Sequence, residues 1–383
     1  MITVPITWHN VAEEVKLLTV VHGRAPENVS PNDVIIIPSP EDVLTSSMWT
    51  YLVSNENASI YTSQDASVVV LEYLPPLDDG DLVVFRPRER KIEIVWQVKV
   101  TTNALFLTPA CNSRCQFCPQ PPCGDDGECY AIASEILKRV LLENCHINIT
   151  GGEPTLNKKK FLEFMREFKQ CWPTVHPVVL TNGRSFTDVN FVATLFSIFD
   201  STEISFAIPL YSDSAMLHDQ VVGVKGAWGE TLRGLYNLAL YRVEIELRFV
   251  VSKLSIHRLP NLVEFIGANL PFISRIAVMG IEPMGNCRSR WLDFWIDPED
   301  CVEYLEEAYR KSRRYAVRLL LYNFQLCCLP KWLHPIACST ISEWKRVFIK
   351  SCQQCLLRAR CGGFFASQNA PEYRPKRFNN LEE

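Results

Sequence analysis

The chain has 383 residues, 47% of them hydrophobic and 21% charged, which is typical of a globular protein with about two or three domains. Its 39 basic and 43 acidic residues give a net charge of −4, which argues against nucleic acid or an anionic membrane as a partner. The mean hydropathy is +0.00 and residues 1–14 lack the basic and apolar regions of a secretory signal, so we expect a cytoplasmic protein without membrane spans.

Residues 1–100 are predicted to form a β-rich accessory domain. The apolar runs Val34–Ile37, Val68–Leu71 and Leu82–Phe85 are separated by Pro, Asp and Asn clusters, a pattern typical of short strands. The segment Lys91–Val100 alternates as a half-buried strand does. This region shows no catalytic constellation, so we expect it to serve packing or partner binding.

Strands and helices alternate in the second predicted domain, residues 101–322. The predicted strands are 104–108, 147–150, 177–181, 203–208, 244–250 and 274–279. Six βα units in series indicate an α/β fold with a parallel sheet, and six units favour a partial (β/α)6 TIM-like barrel over a closed eightfold one. Functional residues in such sheets follow the carboxyl ends of the strands.

The chain contains 15 cysteines, most of them in two groups. Thiols are kept reduced in the cytoplasm, so this number indicates metal or cluster binding rather than disulfides. The first group follows the first predicted strand of the second domain. The second group lies in residues 323–383, which we predict to be a small Cys-rich domain.

The first group has the spacing Cys111-x3-Cys115-x2-Cys118. Thiolates are soft ligands, and four-coordinate sulfur sites hold either zinc or an iron–sulfur cluster. A structural zinc site would require a fourth Cys or His nearby. Three thiolates on a four-iron cluster instead leave one iron open for a substrate or cofactor.

A second motif follows the next predicted strand, where the chain reads Gly151-Gly152-Glu153-Pro154. Two glycines allow the backbone to approach a ligand closely, and a carboxylate can accept a hydrogen bond from an ammonium group. This turn and the cysteine triplet are expected on the same edge of the sheet.

With the triplet, the Gly-Gly-Glu-Pro turn and six βα units, the sequence resembles the radical S-adenosylmethionine (SAM) superfamily. The resemblance implies a [4Fe-4S] cluster on Cys111, Cys115 and Cys118, with SAM bound to the fourth iron. It further implies cleavage of SAM to a 5′-deoxyadenosyl radical, which abstracts a hydrogen atom from the substrate. The SAM contacts that it implies are Gly151, Gly152, Glu153, Phe117, Asn182, Ser205, Arg248 and Ile281.

The loop after the fourth predicted strand resembles that of radical SAM peptide and cofactor maturases. It contains His218 and Asp219, followed by Gly223 and Gly226. His218 is a candidate catalytic base, although a hydrogen bond that orders the loop is the favoured role.

The tail contains a second cysteine pattern, Cys352-x2-Cys355-x5-Cys361. A short segment cannot build a large core, so a metal or cluster is a reasonable means of holding it together. The pattern resembles the auxiliary-cluster tails called SPASM and twitch, but Phe365 stands where their next cysteine would be. An upstream ligand is then needed, and Cys327 is preferred over Cys328. The predicted second, auxiliary [4Fe-4S] cluster is bound by Cys327, Cys352, Cys355 and Cys361, with a four-thiolate zinc site as the alternative.

Several segments between residues 80 and 366 resemble the His-Xaa-Ser system radical SAM maturase. They include 103–108, 118–122, 282–285, 326–330 and 341–345, whereas Cys287 and Cys338 depart from the pattern. The resemblance implies a peptide or small protein substrate with His-Xaa-Ser repeats and an external electron donor. A second radical SAM protein is a further candidate partner. The alternatives are a radical SAM enzyme acting on a nucleotide or cofactor precursor, and a zinc-bearing binding protein without catalysis.

Overall fold

The computed structural model describes residues 2–9, 15–22, 30, 33–38, 50–54, 67–71, 75–124 and 127–378. The chain divides into two compact units, one made of residues 1–104 and 138–140, the other of 105–137 and 141–383. None of the helices in these described ranges is both long and apolar enough to cross a bilayer.

The first unit is built around a closed barrel of seven strands. They are β1 (Ile2–His9), β2 (Lys16–His22), β3 (Val34–Ile37), β4 (Thr50–Ser54), β5 (Ser67–Leu71), β6 (Leu82–Arg86) and β7 (Lys91–Trp96). The order around the barrel is β1-β5-β4-β3-β2-β6-β7. The three predicted apolar runs lie in β3, β5 and β6, and alternating apolar side chains of all seven strands form the barrel core. The accessory role of this unit stays a prediction.

The second unit contains an eight-stranded sheet. Its strands are β8 (Ala104–Phe106), β9 (His146–Thr150), β10 (His176–Leu180), β11 (Ser205–Pro209), β12 (Glu244–Val250), β13 (Arg275–Met279), β14 (Leu319–Tyr322) and β15 (Ala337–Cys338). The order in the sheet follows the order in the sequence, and β9 to β15 pair in parallel. The six predicted strands are confirmed as β8 to β13, but the expected total of six is wrong because β14 and β15 extend the sheet.

Helices connect most of these strands. They are α1 (Glu128–Arg139), α2 (Lys158–Cys171), α3 (Val189–Leu195), α4 (Ala215–Val222), α5 (Ala227–Ala239), α6 (Leu259–Asn269), α7 (Trp291–Phe294) and α8 (Val302–Arg314). Each strand of this sheet lies beside the strand that precedes it in the sequence. Every connection between strands therefore moves along the sheet in the same direction. Right-handed crossovers then place the helices on one face of the sheet.

The opposite face of the sheet, called the open face below, carries the side chains that alternate with the helix-facing ones. In β12, Ile245, Leu247 and Phe249 are buried on the helix side, so Glu246 and Arg248 lie on the open face.

The tail carries little regular structure. It consists mostly of short 3-10 turns and one two-stranded ribbon, β16 (Arg346–Val347) and β17 (Phe364–Phe365). Because β15 pairs with β14, the main sheet continues beyond residue 322. The division into three domains at residues 100 and 322 stays a prediction.

Candidate metal centre

The loop that follows β8 carries Cys111, Cys115 and Cys118, all half-buried and none in a disulfide. Burial raises the pKa of Cys115 to about 12, and the charges of Cys118 and Cys111 raise it further. The pKa of Cys111 is likewise raised by burial and by Glu153 and Cys118. The three sulfur atoms therefore lie within electrostatic reach of one another. Three thiolates this close repel each other unless a cation compensates them, so this donor set fits an iron–sulfur cluster.

The Gly-Gly-Glu-Pro turn holds this loop from the β9 side. The Gly152 amide donates to the Thr108 carbonyl at 2.6 Å, and the Glu153 amide donates to the Ala110 carbonyl at 2.8 Å. A Cβ atom on Gly152 would lie 2.4 Å from the Ala110 oxygen, and one on Gly151 would lie 2.7 Å from the Thr108 oxygen. The sequence suggests that these glycines admit a ligand. The structure shows that they admit the backbone of the cysteine loop.

Glu153 is fully buried and joins the loops that follow β9 and β10. Its carboxylate accepts hydrogen bonds from the Thr181 hydroxyl at 2.6 Å and from the backbone amides of Asn182 at 2.6 Å and Thr155 at 3.0 Å. Burial raises its pKa, and these hydrogen bonds oppose that rise. The side chain therefore acts as an anchor between loops, and its predicted contact with the SAM amino group stays a prediction.

The loop after β10 contacts the residue that follows Cys111. The Asn182 side-chain amide donates to Asn112 Oδ1 at 2.7 Å, and Arg184 Nη1 donates to the Asn112 carbonyl at 2.9 Å. Arg184 is itself fixed by an ion pair with Glu230, in which the Nε and Oε2 atoms are 2.6 Å apart. This arrangement brings Asn182, a predicted SAM contact, beside the cysteine loop.

The carboxyl end of α4 holds the middle of the cysteine loop, which the sequence analysis does not anticipate. The Arg114 and Gln116 amides donate to the Val222 and Val221 carbonyls, both at 2.9 Å. Gly223 has a φ of +72°, and a Cβ atom there would lie 2.6 Å from the Arg114 oxygen. In the sequence, the end of this helix is indicated only by the glycine that follows a short helical stretch.

The loop after β13 supports the end of the triplet. The Asn286 amide donates to the Cys118 carbonyl at 3.0 Å, and its side chain donates to the Cys115 carbonyl at 3.2 Å. A Cβ atom on Gly285 would lie 2.3 Å from the Cys118 oxygen. The segment 282–285 was noted in the sequence only through its resemblance to a maturase, so this supporting role was missed.

An apolar cluster stands beside Cys115. Phe117 packs edge-on against Tyr211, with ring centroids 5.3 Å apart, and against Phe294 at 5.9 Å. Ile281 belongs to the same cluster, and Cys115 packs against it. Two predicted SAM contacts, Phe117 and Ile281, therefore belong to one apolar cluster, which covers part of Cys115.

His218 is buried in α4, where its Nδ1 atom accepts a hydrogen bond from the Tyr211 amide at 3.3 Å. Burial lowers the pKa of His218 to about 4. The neutral ring thus orders the segment between β11 and α4, which agrees with the role favoured by the sequence. A role as catalytic base stays a prediction.

We expect His218 to make the fold sensitive to acid. Its pKa rises from about 4 in the folded chain to near 6.5 in the unfolded chain, so stability is lost as pH falls through this window. Between about pH 7 and about pH 4.5 the wild type should lose about 2–3 kcal/mol more unfolding free energy than His218→Gln. Urea denaturation at both pH values measures this difference. An equal loss in the two proteins would show that the histidine is not responsible.

Ser205 and Arg248 lie on the open face of the sheet. Ser205 opens β11, and its hydroxyl lies 3.1 Å from His176 Nε2. The strand length, about 13 Å, separates it from the carboxyl edge where the cysteine loop lies. The predicted contact between Ser205 and SAM stays a prediction. Arg248, near the carboxyl end of β12, donates from Nε to Glu246 Oε1 at 2.8 Å.

Cys352 lies within electrostatic reach of the other three predicted tail ligands. Burial raises the pKa of Cys352, and the charges of Cys327, Cys361 and Cys355 add to the rise. A hydrogen bond from the Cys328 thiol lowers the pKa of Cys327. The preference for Cys327 over Cys328 as a metal ligand stays a prediction.

A single-ion site does not appear in either cysteine group. Within the described ranges, no three His, Cys, Asp or Glu side chains are gathered closely enough to hold one metal ion.

No protein-family profile and no curated protein matches this chain. Among solved structures, the chain is similar to Streptococcus suis SuiB bound to S-adenosylmethionine, with 16% identity, 58% of this chain and 51% of that chain covered, and a TM-score of 0.44. It is also similar to native anSMEcpe with bound AdoMet, with 15% identity, 56% and 61% covered, and a TM-score of 0.43.

A third similar structure is a radical SAM methyltransferase from Sphaerobacter thermophilus, with 15% identity, 64% and 74% covered, and a TM-score of 0.45. The match spans about half the length of SuiB. The activity of the present chain is therefore inferred from its own residues.

Proposed function

We propose that this chain is a radical SAM enzyme that binds a [4Fe-4S] cluster through Cys111, Cys115 and Cys118. The observation that carries the proposal is the placement of three mutually interacting thiols on one loop at the carboxyl edge of a parallel sheet. Such a cluster with SAM bound supplies a 5′-deoxyadenosyl radical, which removes a hydrogen atom from the substrate.

The protein holds the cysteine loop in place and places apolar side chains beside Cys115. Backbone contacts from Gly152, Val222 and Asn286 hold the loop on three sides and thereby help to fix the positions of its thiols. Phe117 and Ile281 belong to the apolar cluster that covers part of Cys115. Asn182, Arg248 and the glycine pair at 151 and 152 remain the proposed contacts for SAM on the other sides.

The proposed substrate is a peptide or small protein with His-Xaa-Ser repeats, modified after translation by hydrogen abstraction. Support comes from the sequence segments between residues 80 and 366 that resemble a maturase of this kind. The reaction also needs an external electron donor, and a second radical SAM protein is a further candidate partner. The first unit, residues 1–104 and 138–140, is the proposed peptide-binding part.

Anaerobic reconstitution with iron and sulfide tests this function. We expect a brown protein that cleaves SAM to 5′-deoxyadenosine when a reductant is added. Transfer of deuterium from a labelled peptide into 5′-deoxyadenosine would support the peptide substrate, whereas transfer from a nucleotide would favour the alternative. A colourless protein that takes up only zinc and never cleaves SAM would contradict the enzyme function.

A second, auxiliary [4Fe-4S] cluster is proposed in the tail, bound by Cys327, Cys352, Cys355 and Cys361. The electrostatic influence of the other three cysteines on Cys352 supports this grouping. Cys328 is buried with Phe364 and Phe378, and Cys352 packs against the same cluster, so Cys328 is the second candidate for the upstream ligand.

We expect Cys355→Ala to lose about half of the bound iron while retaining SAM cleavage, because the two proposed clusters have separate ligands. Cys145→Ala, which removes a cysteine outside both groups, is the matched control and should retain all iron. Iron and sulfide analysis together with a SAM cleavage assay makes the comparison. Full iron content in Cys355→Ala would contradict the tail cluster.

A further inference from the structure

The tail and the rest of the chain carry opposite net charges. Residues 323–383 contain nine basic and four acidic residues, whereas residues 1–322 contain 30 basic and 39 acidic ones. The tail therefore has a net charge of +5, although the whole chain has a net charge of −4. A charge asymmetry of this size indicates a site that attracts an acidic partner.

Part of this positive charge is neutralised by carboxylates elsewhere in the second unit. The ion pairs are Lys345–Glu282, Lys376–Asp300 and Arg377–Glu299. Four other basic side chains have no carboxylate within ion-pair distance among the residues that the structure describes. They are Arg346, which is half-buried, and Lys350, Arg358 and Arg360, which are exposed.

These four side chains lie in one part of the tail. The guanidinium carbons of Arg346 and Arg358 are 5.9 Å and 5.0 Å from the centroid of the same ring, that of Phe348. Lys350 is two residues beyond this ring in the chain, and Arg360 is in the same 3-10 turn as Arg358. A cation–π contact orients a guanidinium group but leaves its positive charge in place. The four side chains therefore form one positively charged surface, called the basic tail surface below.

The basic tail surface belongs to the segment that carries the tail cysteine pattern. Lys350 begins the turn that ends at Cys352. The Arg358 amide donates to the Cys355 carbonyl at 3.1 Å, and the Cys361 amide donates to the Arg358 carbonyl at 3.3 Å. A protein docked on these charges therefore lies next to three proposed ligands of the tail cluster.

Leu356 adds an apolar element to this surface. Its side chain is 100% exposed and follows Cys355 directly, and Trp344 and Val347 are also exposed. Stable interfaces combine a large apolar centre with a charged rim, whereas encounters between electron-transfer proteins bury little area. A few exposed apolar side chains among uncompensated charges fit the second kind of interface.

We propose that the basic tail surface docks an acidic electron-carrier protein, which is a small flavin or iron–sulfur protein. The inference rests on the proposed function, which needs an external electron donor and a cluster on the tail cysteines. A carrier docked here lies beside the segment that holds three of those cysteines. The carrier gives one electron to the enzyme and leaves in its oxidised form.

Two features favour an electron carrier over the peptide substrate as the partner. The basic tail surface lies in the second unit, whereas the proposed peptide-binding part is the first unit. Exposed charges act mainly on the rate of encounter and contribute little affinity. Fast and weak association suits a carrier that docks, gives up its electron and leaves.

The test measures binding of an acidic flavodoxin to the reconstituted full chain by calorimetry at about 25 mM and about 300 mM sodium chloride. We expect the wild type to lose about tenfold in affinity between the two salt concentrations. Arg358→Gln/Arg360→Gln should bind about fivefold more weakly at low salt and should approach the wild type at high salt. Lys350→Glu, which changes a residue outside the span from Cys352 to Cys361, should show a loss of similar size.

Arg310→Gln/Arg313→Gln is the matched control for the double variant. Arg310 and Arg313 are exposed on α8, and their replacement changes the net charge as much as the tail variant does. This control should bind flavodoxin as the wild type does. An equal loss in the control would mean that only the net charge of the chain matters, which would contradict a site in the tail.

SAM cleavage provides a second readout. With reduced flavodoxin as the electron source, Arg358→Gln/Arg360→Gln should have a KM for flavodoxin about fivefold above that of the wild type, with kcat unchanged. With dithionite, a small reductant that needs no docking surface, both proteins should cleave SAM at the same rate. Iron analysis of each variant separates loss of docking from loss of a cluster. If the wild type cleaves no SAM with dithionite, the proposed function fails, and this outcome is seen separately from flavodoxin binding.

The docking site is overturned by no detectable binding of flavodoxin to the wild type, by binding that salt leaves unchanged, or by an unchanged affinity in both tail variants. Single-stranded DNA of about 20 nucleotides and a polyglutamate peptide are measured as other acidic ligands. If flavodoxin does not bind but one of these binds through Arg358 and Arg360, the surface belongs to a nucleic acid or an acidic peptide. The electron-carrier proposal is then wrong.

Discussion

Replacing Cys115 by alanine is expected to reduce SAM cleavage to the level measured without protein. Cys115 is the central thiol of the triplet, and the charges of both Cys111 and Cys118 act on it. With two thiolates left, the site no longer meets the three-cysteine requirement that leaves one iron open. Iron content and 5′-deoxyadenosine formation measure the loss.

The control for this variant is Cys171→Ala. Cys171 is also half-buried and free, but it ends α2 and lies outside both cysteine groups. Cys171→Ala should retain the cluster and SAM cleavage, and both variants should keep the wild-type circular dichroism spectrum. If Cys115→Ala still cleaved SAM, the triplet would not be the site that binds the catalytic cluster.

Replacing Gly152 by alanine is expected to disrupt the centre without touching a ligand. The new Cβ atom would lie 2.4 Å from the Ala110 oxygen and 2.7 Å from the Pro109 oxygen. Both contacts are to backbone, so no side-chain rotation can relieve them. We expect the unfolding free energy to fall by about 3 kcal/mol and the iron content to fall with it.

Gly124 offers the comparison, because it lies in the same connection between β8 and α1 and a Cβ atom there would meet nothing within 4 Å. Gly124→Ala should change the unfolding free energy by no more than about 0.5 kcal/mol. Denaturant unfolding measures the stability of the two variants, and iron analysis measures how much iron each one binds. Equal stability of both would mean that the close packing at Gly152 does not determine the loop.

Periodicity predicted the long elements of the second unit well. The strands β9, β10, β12 and β13 are buried on at least one face, and their apolar alternation is visible in the sequence. The two-residue strand β15 carries too few residues for any pattern, and β14 reads as a continuation of the helical segment before it. Short strands are defined by their neighbours, which a single sequence does not reveal.

Spacing predicted the cysteine triplet, but not what surrounds it. The roles of Gly223, Gly285 and Asn286 depend on backbone contacts between segments more than 100 residues apart in sequence. Glu153 was identified by its motif, but the Thr181 hydroxyl and the Asn182 amide that donate to its carboxylate come from the end of β10 and the loop after it, which only the fold brings close. Residue types indicate chemistry, whereas the contacts that orient them are tertiary.

The polar side chains of the open face could also be predicted only in part. The alternation of Glu244, Glu246 and Arg248 in β12 is readable in the sequence as a polar side of a strand, which usually faces water. Their pairing with Arg275 and Tyr322 across β13 and β14 requires the register of the sheet.

Electron paramagnetic resonance of the reduced protein tests the central claim most directly. In Cys352→Ala/Cys355→Ala, which lacks two proposed tail ligands, any remaining cluster must be the one on the β8 loop. The account predicts a [4Fe-4S] signal in this double variant that changes shape when SAM is added, because SAM binds the open iron. Absence of the signal, or a signal that SAM leaves unchanged, would contradict it.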